Sequence, residues 1–438
     1  MSEETDIAPV IVTFREIEKA LSSDEAVGNL NEVAESDTET NPLEKTAIMA
    51  AMGNILRQLE SAELDAGARV LTTAHDDRAS RMQSLIASGE AANLSFDPLP
   101  AGGLEAKFDT GDWGGWASVA WQKLKQGRKH PMLRPTSATP EPLPKAARIA
   151  VIGDWGTGLY GAPRIASSIA NDPDDVAMVL HLGDVYYSGT KKEMEQRLLN
   201  RWPSRPGTVN RAINSNHEMY SGGDAYFGML LPQFGQQGSY FATQNDHWTL
   251  IGLDLAYKDH DIDDQQVAWL KQVLVQAGDR KVILFSHHQL YSHWESQGRK
   301  LWQHTEFGKI LRSKRIFAWY WGHEHRCSIF DKPDREFGIL ARCVGHGGMP
   351  QPRAATRHLP RATNPDFANA EWRHSPASSI AGNLLSDVTV LDGPNPYITG
   401  EEDKFAPHGY AMLELDGRHL TEKVLDPEGK VIYQKTLA

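Results

Sequence analysis

Five polar clusters in this chain each follow directly on an apolar run. After AARIAVI comes Gly-Asp-Trp-Gly with Asp154, and after VAMVLHL comes Gly-Asp-Val-Tyr-Tyr with Asp184, Tyr186 and Tyr187. After TVNRAI comes Asn-Ser-Asn-His-Glu-Met with Asn216 and His217; after KVILF comes Ser-His-His with His287 and His288. After IFAWYW comes Gly-His-Glu-His, with His323 and His325. Carboxylate, imidazole, amide oxygen and phenolate form a mixed, mostly hard ligand set without thiolate. One aspartate can bridge two cations ~3.5–4 Å apart, a pair that clamps both oxygens of an in-line displacement. Alone, each fragment has a plainer reading: Gly-Asp after a strand is a turn, His-x-His is surface or core, and Asn-His-Glu starts a helix. Five of them in chain order, each ending an apolar run, read as one metal site.

These groups meet only if the apolar runs are strands, since ligands of open α/β sheets bind outside the carboxyl ends of the strands. The pattern predicts strands over 148–152, 176–181, 209–213, 249–254, 282–285 and 316–321, and helices over 163–170, 192–201 and 263–276. In the last of these helices Val267, Leu270, Val273 and Leu274 share a face. The alternation implies a largely parallel, helix-covered sheet. Beyond Gly338 the chain predicts a strand, a long excursion and a closing antiparallel run, GYAMLELDG, HLTEKVLD and KVIYQKTL. Upstream, Pro131, Pro135, Pro140, Pro142 and Pro144 mark an extended, semi-rigid linker. The expected organisation is a mainly helical N-terminal region over 1–130, a proline-rich linker over 131–146 and a catalytic domain over 147–438. The N-terminal helices are placed after Asn41-Pro42, with Ile48, Met52, Ile55, Leu56 and Leu59 on one face, and over about 66–88. A second Gly-Asp-Trp-Gly, at 111–114, lacks a preceding apolar strand and reads as a chance recurrence.

The chain has 438 residues and a net charge of −12, which argues against broad nucleic-acid binding. Its start is acidic and without a secretory pattern, and no apolar run approaches the ~20 residues of a membrane span. Two cysteines, Cys327 and Cys343, and no CxxC pair complete the expectation of a cytoplasmic protein with free thiols and no membrane partner.

On these motifs the chain resembles the calcineurin-like metallophosphoesterases and, within them, the purple acid phosphatases. The general family has Asp-x-His in its first motif, where this chain has Asp154-Trp155-Gly156; a tyrosine three residues after the second aspartate, Tyr187, is the mark of the purple branch. Gly345-His346-Gly347-Gly348 resembles the glycine-rich turn after the last histidine motif. The resemblance implies a four-layer αββα sandwich and a binuclear centre. A ferric ion (Fe3+) would be held by Asp154, Tyr187, His325 and bridging Asp184, and a divalent Fe, Zn or Mn ion by Asp184, Asn216, His287 and His323. Tyr186 competes with Tyr187, and spacing favours Tyr187. His217 is expected over the substrate, and a metal-bound hydroxide as nucleophile. His288, Tyr291, His293 and Trp294 line the substrate pocket in one reading and form plain surface loop in the other. The expected activity is hydrolysis of small phosphorylated substrates, monoesters before diesters; the contrasting class is a non-catalytic scaffold. The oligomeric state stays open.

Overall fold

The computed structural model describes residues 10–11, 70–71, 80–81, 83–84, 95–98, 104–107, 129–367, 369–376 and 386–438. The predicted N-terminal helices and the first Gly-Asp-Trp-Gly lie mainly outside these. Described there are helical backbone at 80–81 and 83–84 and a small sheet of β1 (Val10–Ile11), β3 (Leu104–Lys107) and β2 (Ser95–Pro98), in that order.

The remaining chain builds two larger sheets. One has six strands: β5 (Ala146–Ile152), β6 (Met178–His181) and β7 (Val209–Ala212) pair in parallel. On the outer side of β5, β16 (Tyr410–Asp416), β17 (His419–Leu425) and β18 (Val431–Thr436) form the antiparallel run expected from the C-terminal sequence. The other has nine strands, around a parallel centre of β9 (Trp248–Gly252), β10 (Lys281–Ser286), β11 (Ile316–Trp321) and β13 (Leu340–Val344). Antiparallel β8 (Phe241–Gln244) extends it on one side. β12 (Cys327–Phe330), β15 (Val388–Asp392) and β14 (Glu371–Ser375) extend it on the other. The single parallel sheet read from the alternation is therefore two mixed sheets.

Strand residues alternate between faces, and that period explains why the two sheets must stack. Ile149 and Val151 of β5, Leu180 of β6, Ile283 and Phe285 of β10 and Leu413 of β16 pack together in one buried cluster between the sheets. The intervening residues Ala150 and Ile152 face outward, onto Ile165 and Ile169 of α1 (Ala162–Ala170). On the far side, Val282 and Leu284 of β10 and Trp319 and Trp321 of β11 pack against α3 (Asp264–Ala277) and α4 (Thr305–Arg312). The result is the four-layer αββα sandwich, with strands buried on both faces and hence continuously apolar in sequence. In α3, Asp263 caps the N-terminus by accepting from the backbone of Gln265 and Gln266. Its inward stripe is the predicted Val267, Leu270 and Val273, and Val275 on the opposite side is 81% exposed.

The proline-rich segment before β5 packs on this sandwich. Glu141–Pro142 (β4) pairs in parallel with β8, and Leu143 is buried between the sheets. No helix among the described residues is long and apolar enough to cross a membrane. Cys327 and Cys343 are buried and unbridged.

Candidate metal centre

The carboxyl ends of β5, β6, β10 and β11 open onto one place, and the turns after β5, β6 and β11 are left-handed. Asp154 (φ 54°), Asp184 (φ 76°), His323 (φ 68°) and His325 (φ 52°) all occupy the region that favours glycine. Each costs ~1–2 kcal/mol, strain that concentrates at functional sites. The turns interlock: the Asp154 N–H donates to the Gly183 carbonyl at 3.1 Å, and the Gly347 N–H to the Gly153 carbonyl at 2.9 Å. Gly322 and Gly345 leave room for the carboxylate; a Cβ on either would lie 2.6 or 2.7 Å from Asp154 Oδ2.

The side chains converge tightly. His287 Nε2 lies 2.8 Å from Asn216 Oδ1, 3.1 Å from His323 Nδ1 and 3.3 Å from Asp184 Oδ1. His325 Nε2 lies 3.5 Å from Asp154 Oδ1 and 3.9 Å from Asp184 Oδ2. Asn216 and His217 sit on the short helix α2 (Asn216–Tyr220), capped by Ser215, whose Oγ accepts from the His217 N–H at 3.2 Å. His217 Nε2 reaches to 3.8 Å from Asp184 Oδ2, while Nδ1 donates to the Tyr187 carbonyl. The structure thus brings together Asp154, Asp184, Asn216, His217, His287, His323 and His325.

Tyr187 is not among them. The hydroxyl inside the cluster belongs to Tyr186: it donates to Asp184 Oδ2 at 2.9 Å, lies 3.3 Å from Asp154 Oδ1 and is 3.1 Å from His325 Nε2. The Tyr187 ring instead lies under the Arg197 guanidinium, 4.8 Å from its centroid, with its backbone N–H held by Glu193 Oε1 at 2.6 Å. Counting three residues from an aspartate does not tell which of two adjacent side chains a turn points inward. Here the Glu193 anchor and Arg197 commit Tyr187 to the other side.

The two aspartates are buried together and their charges conflict. Burial and the neighbouring Asp184 charge raise Asp154 well above the usual carboxylate range. Burial opposes ionisation of Asp184 too, but His217 and His287 hold it well below that range. Burial pushes His287 down to about 4 and lowers His325 as well, so both imidazoles are neutral near pH 7, as a metal ligand must be. Asp184 Oδ1 is buried without a hydrogen-bond partner. Asp154, Asp184 and His287 each offer one ligand atom within 4.8 Å of the others. An orphaned carboxylate oxygen among neutral imidazoles, an amide and a phenol fits cations of mixed oxygen and nitrogen preference.

The other candidates separate. His288 is buried beside the cluster, its ring 4.9 Å from that of His287 and 4.8 Å from that of His323. Tyr291 is core, edge-on to Trp321 and Phe330. His293 also lies edge-on to Phe330, and Trp294 stacks under Arg326. His346 is fully buried. Two residues not singled out from sequence also lie here: His260, its ring 5.4 Å from that of His323, and Glu295, 3.5 Å from His323 Nε2. In AYKDHDIDD nothing distinguishes His260 from a solvated turn.

Residues 147–327 match the family model of the calcineurin-like phosphoesterases. No curated protein matches the chain. Among solved structures, it is similar to a purple acid phosphatase from yellow lupin (Lupinus luteus) seeds, at 13% identity and a TM-score of 0.46. That likeness covers 69% of this chain and 55% of the lupin protein, so the chain spans about half of that protein's length. It is also similar to GAP50, the anchor in the inner membrane complex of Plasmodium, at 15% identity, a TM-score of 0.45, and coverage of 66% of this chain and 88% of that one. The stretch that matches the family model runs from β5 to the start of β12 and includes every residue of the cluster, and over that stretch the chain resembles the calcineurin-like phosphoesterases.

Proposed function

We propose that this chain is a metal-dependent phosphoester hydrolase with a binuclear centre, acting on small phosphomonoesters. The observation that carries the reading is Asp184, buried between two ligand groups with one oxygen unpartnered. Asp154, Tyr186, His325 and Asp184 form the first site, and Asp184, Asn216, His287 and His323 the second. The phenol suits a ferric ion and the second set a divalent Fe, Zn or Mn ion. Bound there, the two cations would supply Lewis-acid polarisation of the phosphoryl oxygens and lower the pKa of an attacking water.

The chain's own groups do the rest. Asp184 faces both sites and fixes their separation. The His217 Nδ1–H donates to the Tyr187 carbonyl, which fixes the ring and leaves Nε2 facing the cluster. In the imidazolium form His217 gives its Nε2 proton to the leaving oxygen as the ester P–O bond breaks, while the attacking water releases its own proton to solvent as its oxygen bonds to phosphorus. Ser215 and Glu218 hold the Asp184 backbone N–H at 3.1 and 3.3 Å, keeping the bridging carboxylate in place.

The test is turnover of aryl phosphate monoesters and diesters by purified, metal-loaded protein, before and after chelation. Monoester turnover that chelation abolishes is the expected result. Preference for the diester would move the substrate class, and no turnover of either by fully loaded protein would overturn the hydrolase reading.

A further inference from the structure

Beside the proposed binuclear centre lies a second imidazole cluster, which shares His323 with it and adds His260 and His288, two rings that phosphoester hydrolysis does not use. One ligand atom from each of His260, His288 and His323 lies within 4.8 Å of the other two. Their rings are 3.7 Å apart for His260 and His288, 4.8 Å for His288 and His323 and 5.4 Å for His260 and His323. We propose that His260, His288 and His323, with the Glu295 carboxylate, bind a further cation of the zinc class.

Three observations support it. His288 is 1% exposed and neither ring nitrogen has a hydrogen-bond partner, although the Leu255 backbone is close enough to act on its charge. Leaving such a group unmade costs ~1–3 kcal/mol, a cost that a bound ion removes. His260 Nδ1 is 2.9 Å from Asp259 Oδ1, so the carboxylate orients the ring and leaves Nε2 as the nitrogen available to a cation. Metal-ligating histidines are commonly oriented by such a carboxylate. His323 stands between the two clusters: Nδ1 is 3.1 Å from His287 Nε2, and Nε2 is 3.5 Å from Glu295 Oε2. One ring can serve both, one nitrogen each, as the imidazolate, its N–H proton released to solvent when the second cation binds.

The donor set selects the ion. Three imidazoles and one carboxylate suit zinc and its borderline neighbours rather than magnesium or calcium, which take oxygen ligands. Bonds of about 2.0–2.1 Å require the nitrogens to close by on the order of 1 Å. His260 is the ring that can give, being a third exposed on a turn where Asp259 (φ 51°) and His260 (φ 61°) are both left-handed.

This site stands beside the hydrolase reading, not on it. Full-length protein is stripped with chelator, dialysed against Zn2+, and its bound zinc counted by elemental mass spectrometry. Three ions per chain are expected, falling to two in His260→Ala and in His288→Ala. His260→Ala, at a partly exposed turn, should keep the parent melting temperature when metal-free. An unchanged count in both variants, whatever the parent count, would overturn the site. A zinc ion lost on His260→Ala but not on Asp184→Asn would keep this site while counting against the binuclear centre.

Discussion

Two clusters of charge are buried in this sandwich, and only one is complete. Between the sheets, Arg342 of β13 and Glu422 of β17 are 2% and 1% exposed. Arg342 Nε donates to both Glu422 oxygens, at 2.8 and 2.9 Å, and Nη1 to the carbonyls of Phe330 and Ala341. The hydroxyls of Tyr320 and Tyr433 donate to the same carboxylate. At the strand ends, by contrast, Asp154 and Asp184 bring two carboxylates together and Asp184 Oδ1 has no hydrogen-bond partner. A buried ion pair supplied with its own hydrogen bonds is electrostatically complete, and removing one partner strands the other. One that lacks a positive partner is waiting for one. The difference separates structure from chemistry without reference to any motif.

The comparison breaks most sharply at Asp184. Asp184→Asn should lower kcat/KM by at least about 10^3-fold, since cations contribute several kcal/mol of transition-state stabilisation. Metal-free stability, followed by thermal melting, should fall much less than in Arg342→Met, because relief of the contact with Asp154 offsets the lost interactions with His217 and His287. Arg342→Met should do the reverse. Stranding Glu422 costs on the order of 3–5 kcal/mol, read by urea unfolding, with the metal count per folded chain unchanged. If Asp184→Asn instead destabilised the metal-free protein as strongly as Arg342→Met, the two clusters would not differ in kind.

Tyr186 and Tyr187 sharpen the contrast within one turn. Tyr186→Phe should remove a visible phenolate-to-ferric absorption band and weaken metal binding by roughly 10- to 100-fold, an effect of the size seen for groups around a metal. Tyr187→Phe should leave the band intact. Loss of the band in Tyr187→Phe alone would restore the assignment made from spacing.

The smallest effect per group concerns imidazoles outside both clusters. Burial lowers His181 and His346 to about 3 and His408 to about 4. These rings stay neutral in the folded chain but take protons near pH 6.5 when unfolded, so the unfolded state binds more protons between those values. Stability therefore falls as pH drops below about 6.5, by about 1 kcal/mol per pH unit per ring. Melting temperatures from pH 7.5 to 5 should decline steadily; a flat profile would mean these rings are solvated.

The strand ends were legible because burial on both faces leaves unbroken apolar runs, and the polar residues after such a run must form a turn. Hence β5, β6, β10 and β11 and most of the converging side chains were found from residues 148–325 alone. Sheet count was legible only through the family resemblance, since IAVI reads the same whether its two faces meet one helix layer each or a helix and another sheet. Arg342 and Glu422 look like solvated strand residues until their partners, 80 residues apart, are seen together. His260 was missed for a related reason: the backbone of a turn aims it, and turn handedness at Asp259 and His260 leaves no trace in residue type.

The left-handed turns that aim the cluster also set when it can exist. Asp154 and His323, joined by a 2.8 Å hydrogen bond, are 169 residues apart in sequence. At ~5–20 residues per second of synthesis, the ribosome makes the second of them roughly ten to thirty seconds after the first. For most of that interval, from Asp184 to His287, a nascent chain carries both aspartates without the imidazoles that follow β10 and β11. Metal loading is therefore a late event, possible only once both sheets have left the ribosome and closed on each other.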